Sequence, residues 1–431
     1  MKILFRIILG LMLFFSISCK KDKEENSEKS KISNPEKLIQ PTVNVYIENS
    51  SSMIGYINGD TYFKTDIREL LTILNHHYAG RGKKVNLNLI NSDIYPINTT
   101  DNIDFITALT PNTFKIGNVY QSDLNKVFKQ VLDKTSKDTL SILISDCIYS
   151  VKGNASPLSV QKTGIERHFL DKSTKGIKVS SEIIKLNSQF NGIYYDKNNG
   201  KHLLNGDMRP YYMVALGSDE ALSDLNTKIP FNDGKMMGYS NKLILTSNNF
   251  SDKVYYTLLK TKKDIGRYSY IKEVSTRDSK RGIEDIKTNG RTFEFSVGIN
   301  YSTIPVESSY VRDTNNYKIV QGNYKIKSIT EVNTTTEKNI TAPAKVILGS
   351  NKITHYITFE ATSKGQSDLE CVLENKIPAW IYETNTMDDT AKKNDKNRTF
   401  GIQYLVQGIS EANKLINPKS QNILELNIKI K

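Results

Sequence analysis

Residues 43–56 read VNVYIENSSSMIGY. Val43, Val45 and Ile47 alternate with Asn44, Tyr46 and Glu48, the period-two signature of a strand. The strand ends on a carboxylate and runs directly into Ser50, Ser51 and Ser52. A strand that stops in a cluster of small oxygen-bearing side chains could supply a nucleophile, a metal cradle or a polar turn.

The flanking segments set the fold that carries it. A helix from about Asp66 places Ile67, Leu70, Leu71, Leu74 and Tyr78 on one stripe and stops at AGRG, 79–82. KVNLNLIN, 84–91, reads as a second strand. Ser122 is placed to cap a helix with Leu124, Val127, Phe128, Val131 and Leu132 along one face. TLSILISD, 139–146, is apolar almost throughout, as a strand buried on both faces should be. SSEIIKLNSQF (180–190) and RPYYMVALGS (209–218) supply two more strands, and DEALSDLN (219–226) a helix. This alternation predicts a doubly wound, mostly parallel α/β sheet of the Rossmann-like kind over residues 41–235.

After about Gly238 the texture changes. KVYYTLL, TFEFSVGIN, NYKIKSITEV, THYITFEA, LECVLEN and ILELNIKI alternate with period two between Asn, Gly, Ser and Thr turns. Residues 236–431 therefore read as a β-rich, sandwich-like region with room for two subdomains. One helix interrupts it, with Ile402, Leu405, Val406, Ile409 and Ala412 on its apolar stripe. The polar loop before it holds Asp388 and Asp389, read as solvated, and Trp380 reads as an aromatic of the sandwich.

The N-terminus has a different logic. Lys2 and Arg6 precede an apolar run, Ile7–Ile17, too short to span a bilayer and polarised like a secretion signal. It ends in FSISCKK, which resembles the bacterial lipobox; that resemblance implies a signal peptide over 1–18 and a lipid on Cys19. Residues 19–40 are charged and nearly free of apolar side chains, the composition of a tether. Their early acids are similar to the export signal of Bacteroidetes surface lipoproteins. The expected location is the outer membrane, facing the periplasm or the outside.

The chain carries 59 basic and 46 acidic residues, formally +13. The excess is scattered, without an arginine-rich stripe, so nucleic acid is not an expected partner. Cys147 and Cys371 lie far apart in sequence, which indicates no disulfide framework. None of the five histidines sits in a zinc or catalytic spacing, and no Gly-x-Ser-x-Gly elbow surrounds Ser50–Ser52.

Open α/β sheets bind ligands beyond the carboxyl ends of their strands. Glu48, Ser50, Ser52, Ser122 and Asp146 should therefore meet at one rim, a set of hard oxygen donors suited to Mg²⁺, Mn²⁺ or Ca²⁺. Here the chain resembles the von Willebrand factor A domain, whose adhesion site reads Asp-x-Ser-x-Ser, then a Thr, then an Asp after the fourth strand. ENSSSM, QSDLNKVFKQVL and LISDC stand in those places over roughly 41–226, with Glu48 for the first Asp, Ser122 for Thr, and Cys147 where a glycine commonly follows. The resemblance implies a protein that engages a carboxylate of a protein partner, or another envelope ligand, through a divalent cation. The competing readings are a metal-dependent envelope hydrolase and a scaffold whose metal site has degenerated.

Overall fold

The computed structural model describes residues 41–80, 83–120, 123–149, 158–198, 200–290, 292–345, 353–361, 367–390 and 396–431. Cys19, the expected tether and Ser122 lie outside them. The described residues fall within the unit Gln40–Lys431.

A seven-stranded sheet is its first half. The strands are β1 (Thr42–Glu48), β2 (Asn86–Ile90), β3 (Ile94–Pro96), β4 (Thr139–Ser145), β5 (Ser180–Tyr195), β6 (Lys201–Gly217) and β7 (Tyr239–Leu245), in the spatial order β3-β2-β1-β4-β6-β5-β7. Only β1 runs parallel to its neighbours, β2 on one side and β4 on the other. The remaining pairs are antiparallel. The expectation of a mostly parallel sheet is thus corrected: β2–β3 and β5–β6 are joined by turns too short for a crossover, and such turns force antiparallel pairing.

Helices cover both faces. In chain order they are α1 (Ile54–Ile57), α2 (Tyr62–Tyr78), α3 (Asn102–Thr107), α4 (Leu124–Lys134), α5 (Leu158–Thr174) and α6 (Asp219–Lys228). Val43, Val45 and Ile47 point into one core with Phe63, Ile67, Leu70 and Leu74 of α2 and Leu222 and Leu225 of α6. Tyr46, on the opposite face of the same strand, shares a second core with Val127, Phe128 and Val131 of α4. β4 is buried at all seven positions, as its apolar run required. The cap of α4 is Asp123, whose Oδ1 accepts from the Asn125 and Lys126 N–H groups at 2.9 and 3.3 Å.

The second half is a sandwich. Its strands are β8 (Tyr256–Leu259), β9 (Arg267–Tyr270), β10 (Gly282–Lys287), β11 (Glu294–Ile299), β12 (Tyr317–Gln321), β13 (Tyr324–Glu331), β14 (His355–Ala361) and β15 (Leu369–Glu374). A short parallel pair follows, β16 (Asn385–Thr386) with β17 (Thr399–Phe400), and the chain ends on β18 (Asn422–Ile430). One sheet has the order β12-β15-β18-β10-β9 and the other β13-β14-β11-β8. Their inward residues, among them Phe295, Val297, Ile357, Phe359, Leu424 and Leu426, form one core. Helices of this half include α7 (Ser308–Arg312), α8 (Ala379–Thr384) and α9 (Ile402–Ile416).

The border between the halves is not where the change of sequence texture puts it. β7 lies past residue 235 and closes the edge of the first sheet. The stripe of α9 (Ile402, Leu405, Val406, Ile409, Ala412) packs with Ile165 and Phe169 of α5, not with the sandwich. Trp380 packs against this same core, which corrects its reading as a sandwich aromatic. The chain therefore crosses between the halves three times, after β7, after β15 and after α9.

Candidate functional site

β1 sends its crossover through α2 to β2 on one side and is flanked by β4 on the other, so the connections diverge between β1 and β4. That is the switch point at which open α/β sheets form a crevice. Glu48 ends β1 and Ser145-Asp146 ends β4, and the two carboxylates come together there, 5 % and 2 % exposed.

Glu48 is turned toward the neighbouring strand. Its Oε2 accepts a short hydrogen bond from Ser145 Oγ, and Ser145 Oγ in turn accepts the Cys147 N–H at 2.8 Å. The methylene that distinguishes glutamate from aspartate spans the gap between strands. Asp146 accepts the Ile148 N–H at 3.2 Å, and its own N–H faces Met53 Sδ at 3.2 Å. Burial first, and then the Glu48 charge, push the Asp146 carboxyl up to about 7. The Ser52 hydroxyl, the Ile148 N–H and the Arg209 charge pull the other way.

The three serines divide their work. Ser50 and Ser52 hydrogen-bond each other at 2.9 Å, and Ser52 reaches Asp146. Ser51 is structural: its N–H and hydroxyl both reach Val119 O, at 2.9 and 3.1 Å. Asn49, fully buried, donates to Phe114 O and Ile116 O and receives the Asn91 amide at 2.9 Å. Side chains following β1 and β2 thereby hold the loop that leads toward residue 122.

Cys147 has φ 52°, the left-handed region that favours glycine. Its thiol is fully buried, and burial followed by the Asp146 and Glu48 charges raises it well above the ordinary cysteine range. It is no nucleophile.

The sequence reading missed Arg209. It sits midway along β6, just before the buried run, is 3 % exposed, and stacks its guanidinium 3.8 Å over the Tyr194 ring. One NH group donates to Lys396 O at 3.2 Å, while Nε finds no hydrogen-bond partner among the described residues. Its charge acts on Asp146, placing a fixed cation behind the rim. The available signal was an arginine immediately before the uncharged run 210–217, with nothing in the sequence to say what it meets.

Asp389 is also corrected. It is 8 % exposed, not solvated, and accepts from Tyr194 Oη and from the Lys197 N–H at 2.9 Å, while Asp388 pairs with Lys197 at 3.2 Å. These contacts fasten the segment before β17 to the β5–β6 hairpin. Away from the rim, His202 bonds Asp196 at 2.8 Å and His355 is buried in the sandwich. Among the described residues no three His, Cys, Asp or Glu side chains are grouped to hold a metal ion. The rim's donor set is two carboxylates with hydroxyls. No protein-family model matches the chain, and no curated protein or solved structure is significantly similar to it.

Proposed function

We propose that the protein is a lipid-anchored envelope protein that binds a partner at the rim between β1 and β4, in the manner of a von Willebrand factor A domain. Cys19 would carry the lipid and residues 19–40 the tether. Glu48, Ser50, Ser52 and Asp146, with Ser122, would hold a divalent cation, and a carboxylate on a protein partner would complete its shell.

The observation that carries this reading is the pair of buried acids. Like charges brought together out of water disfavour double ionisation, and a divalent cation between them removes that penalty. The glycine-like backbone of Cys147, where the resemblance has a glycine, supports the reading. The antiparallel β6 and β5 depart from it.

The test is thermal melting and calorimetric titration with Mg²⁺, Mn²⁺ and Ca²⁺. A cation at about a hundredfold over its Kd adds about 2.7 kcal/mol. Asp146→Asn and Ser50→Ala should each abolish the shift, and capture of the partner from envelope extracts should fail in chelator. No binding of any of the three cations would sink the metal-dependent reading.

Arg209 favours a second reading. Its buried charge offsets part of the penalty on Asp146, so the rim would serve as the rigid centre of a scaffold that binds its partner without a cation. Cation-insensitive capture of the same partner distinguishes the two.

A further inference from the structure

The opposite end of the same strands carries a second anomaly. Central parallel strands are apolar on both faces, and asparagine is depleted in strands. Yet Asn44 of β1 and Asn86 and Asn88 of β2 occupy one face, alternating with buried Val43, Val45, Leu87 and Leu89. Asn44 and Asn86 are register partners, and Tyr46 is the partner of Asn88. α4 covers the upper part of this face, at Tyr46 and Ile90, and ends at Lys134. Below that point the face lies open as a groove of about 730 Å³, within the usual range for ligand sites.

Its chemistry is specific. Asn86 Nδ2 donates to Asn44 Oδ1 at 2.9 Å, which leaves the Asn44 amide N–H groups and the Asn86 carbonyl for a ligand. Asn88, 8 % exposed, gives one N–H to Val45 O at 3.3 Å and keeps its carbonyl at the groove's inner end. Donor and acceptor capacity thus lies side by side along the floor, which neighbouring hydroxyls satisfy by donating and accepting together. Asn98 and Asn102 extend it onto the wall, where Asn102 also ties the loop to Val85 O at 2.9 Å. Two exposed lysines, Lys84 and Lys134, flank the groove, and neither has an ion-pair partner among the described residues. The one lining carboxylate, Asp101, caps α3 by accepting from the Ile103 and Asp104 N–H groups. A solvated face would be built more stably from threonine or lysine than from asparagine.

We propose that this amide-lined, lysine-flanked groove binds an acidic oligosaccharide. The amides take the hydroxyls and the lysines take the carboxylates. The site is independent of the rim, since it lies at the amino ends of β1 and β2.

The probe is tetragalacturonate, titrated calorimetrically into the full chain with chelator present, which removes any contribution of a rim cation. Saturable, salt-weakened binding is expected. Asn86→Val should weaken it at least tenfold while melting at or above wild type, because valine is the better strand former. Lys84→Gln with Lys134→Gln should weaken tetragalacturonate more than neutral maltotetraose. No saturable binding of tetragalacturonate, or binding unchanged in a folded Asn86→Val, overturns the proposal. So does a groove that takes an extended peptide with the same Asn86 dependence and leaves the sugar free.

Discussion

Ser145 holds Glu48 across the β1–β4 pair, donating its hydroxyl to the carboxylate while accepting the Cys147 N–H. One hydroxyl thereby fixes both the acid at the end of one strand and the turn at the end of the next. Ser145→Ala removes a buried donor to a charged group and leaves the Cys147 N–H unsatisfied, a loss of about 1–3 kcal/mol. Urea midpoints of the two proteins give the value. A change below a few tenths would mean that water replaces the hydroxyl.

The raised carboxyl of Asp146 makes stability depend on pH in a stated direction. A folded-state value of about 7 against about 3.9 in the unfolded chain means that the native state holds the extra proton in that interval. This contribution is full below about pH 4, is lost as pH rises toward 7, and is constant above. Asp146→Asn should flatten that part of the profile, read as melting temperature against pH in chelator. An unchanged slope in the variant would place the titration elsewhere.

Cys147 should invert the usual ranking of small residues. Alanine there keeps the left-handed strain and loses the buried sulfur, whereas glycine loses the sulfur and relieves about 1 kcal/mol of strain. Cys147→Gly is therefore expected to be more stable than Cys147→Ala by about that amount, in paired chemical denaturations. The ordinary order, alanine above glycine, would contradict the backbone assignment.

A chain ended at residue 235 should not fold cooperatively. It lacks β7, which pairs with β5 from Ser181 to Leu186, and it lacks α9, which covers Ile165 and Phe169. Near-ultraviolet circular dichroism during heating is the measure. A sharp transition would show that the first sheet closes without either element.

That fragment also marks the limit of what the sequence disclosed. β1, β4 and the sandwich strands were legible because alternation and buried runs report burial directly. The direction of β5 and β6 was not, because a buried strand shows the same apolar run whether its neighbours are parallel or antiparallel. The stripe of α9 announced a helix but carried no record of which core it would cover. At the rim, Glu48, Ser50, Ser52 and Asp146 could be placed from strand ends alone. Arg209 and Asp389 could not, since Arg209 bonds the distant Lys396 and Asp389 is held by the distant Tyr194 and Lys197.

The three crossings between sheet and sandwich have a mechanical consequence. A hinge between two lobes bends at a few loop or element-terminal residues that absorb the rotation. Here any rotation would strain three at once and would also pull on Glu307, which meets Tyr239 Oη at 2.9 Å and Lys242 Nζ at 3.8 Å at the edge of the first sheet. A rotation of the sandwich would therefore be felt first at β7, the edge strand of the sheet that ends at the rim.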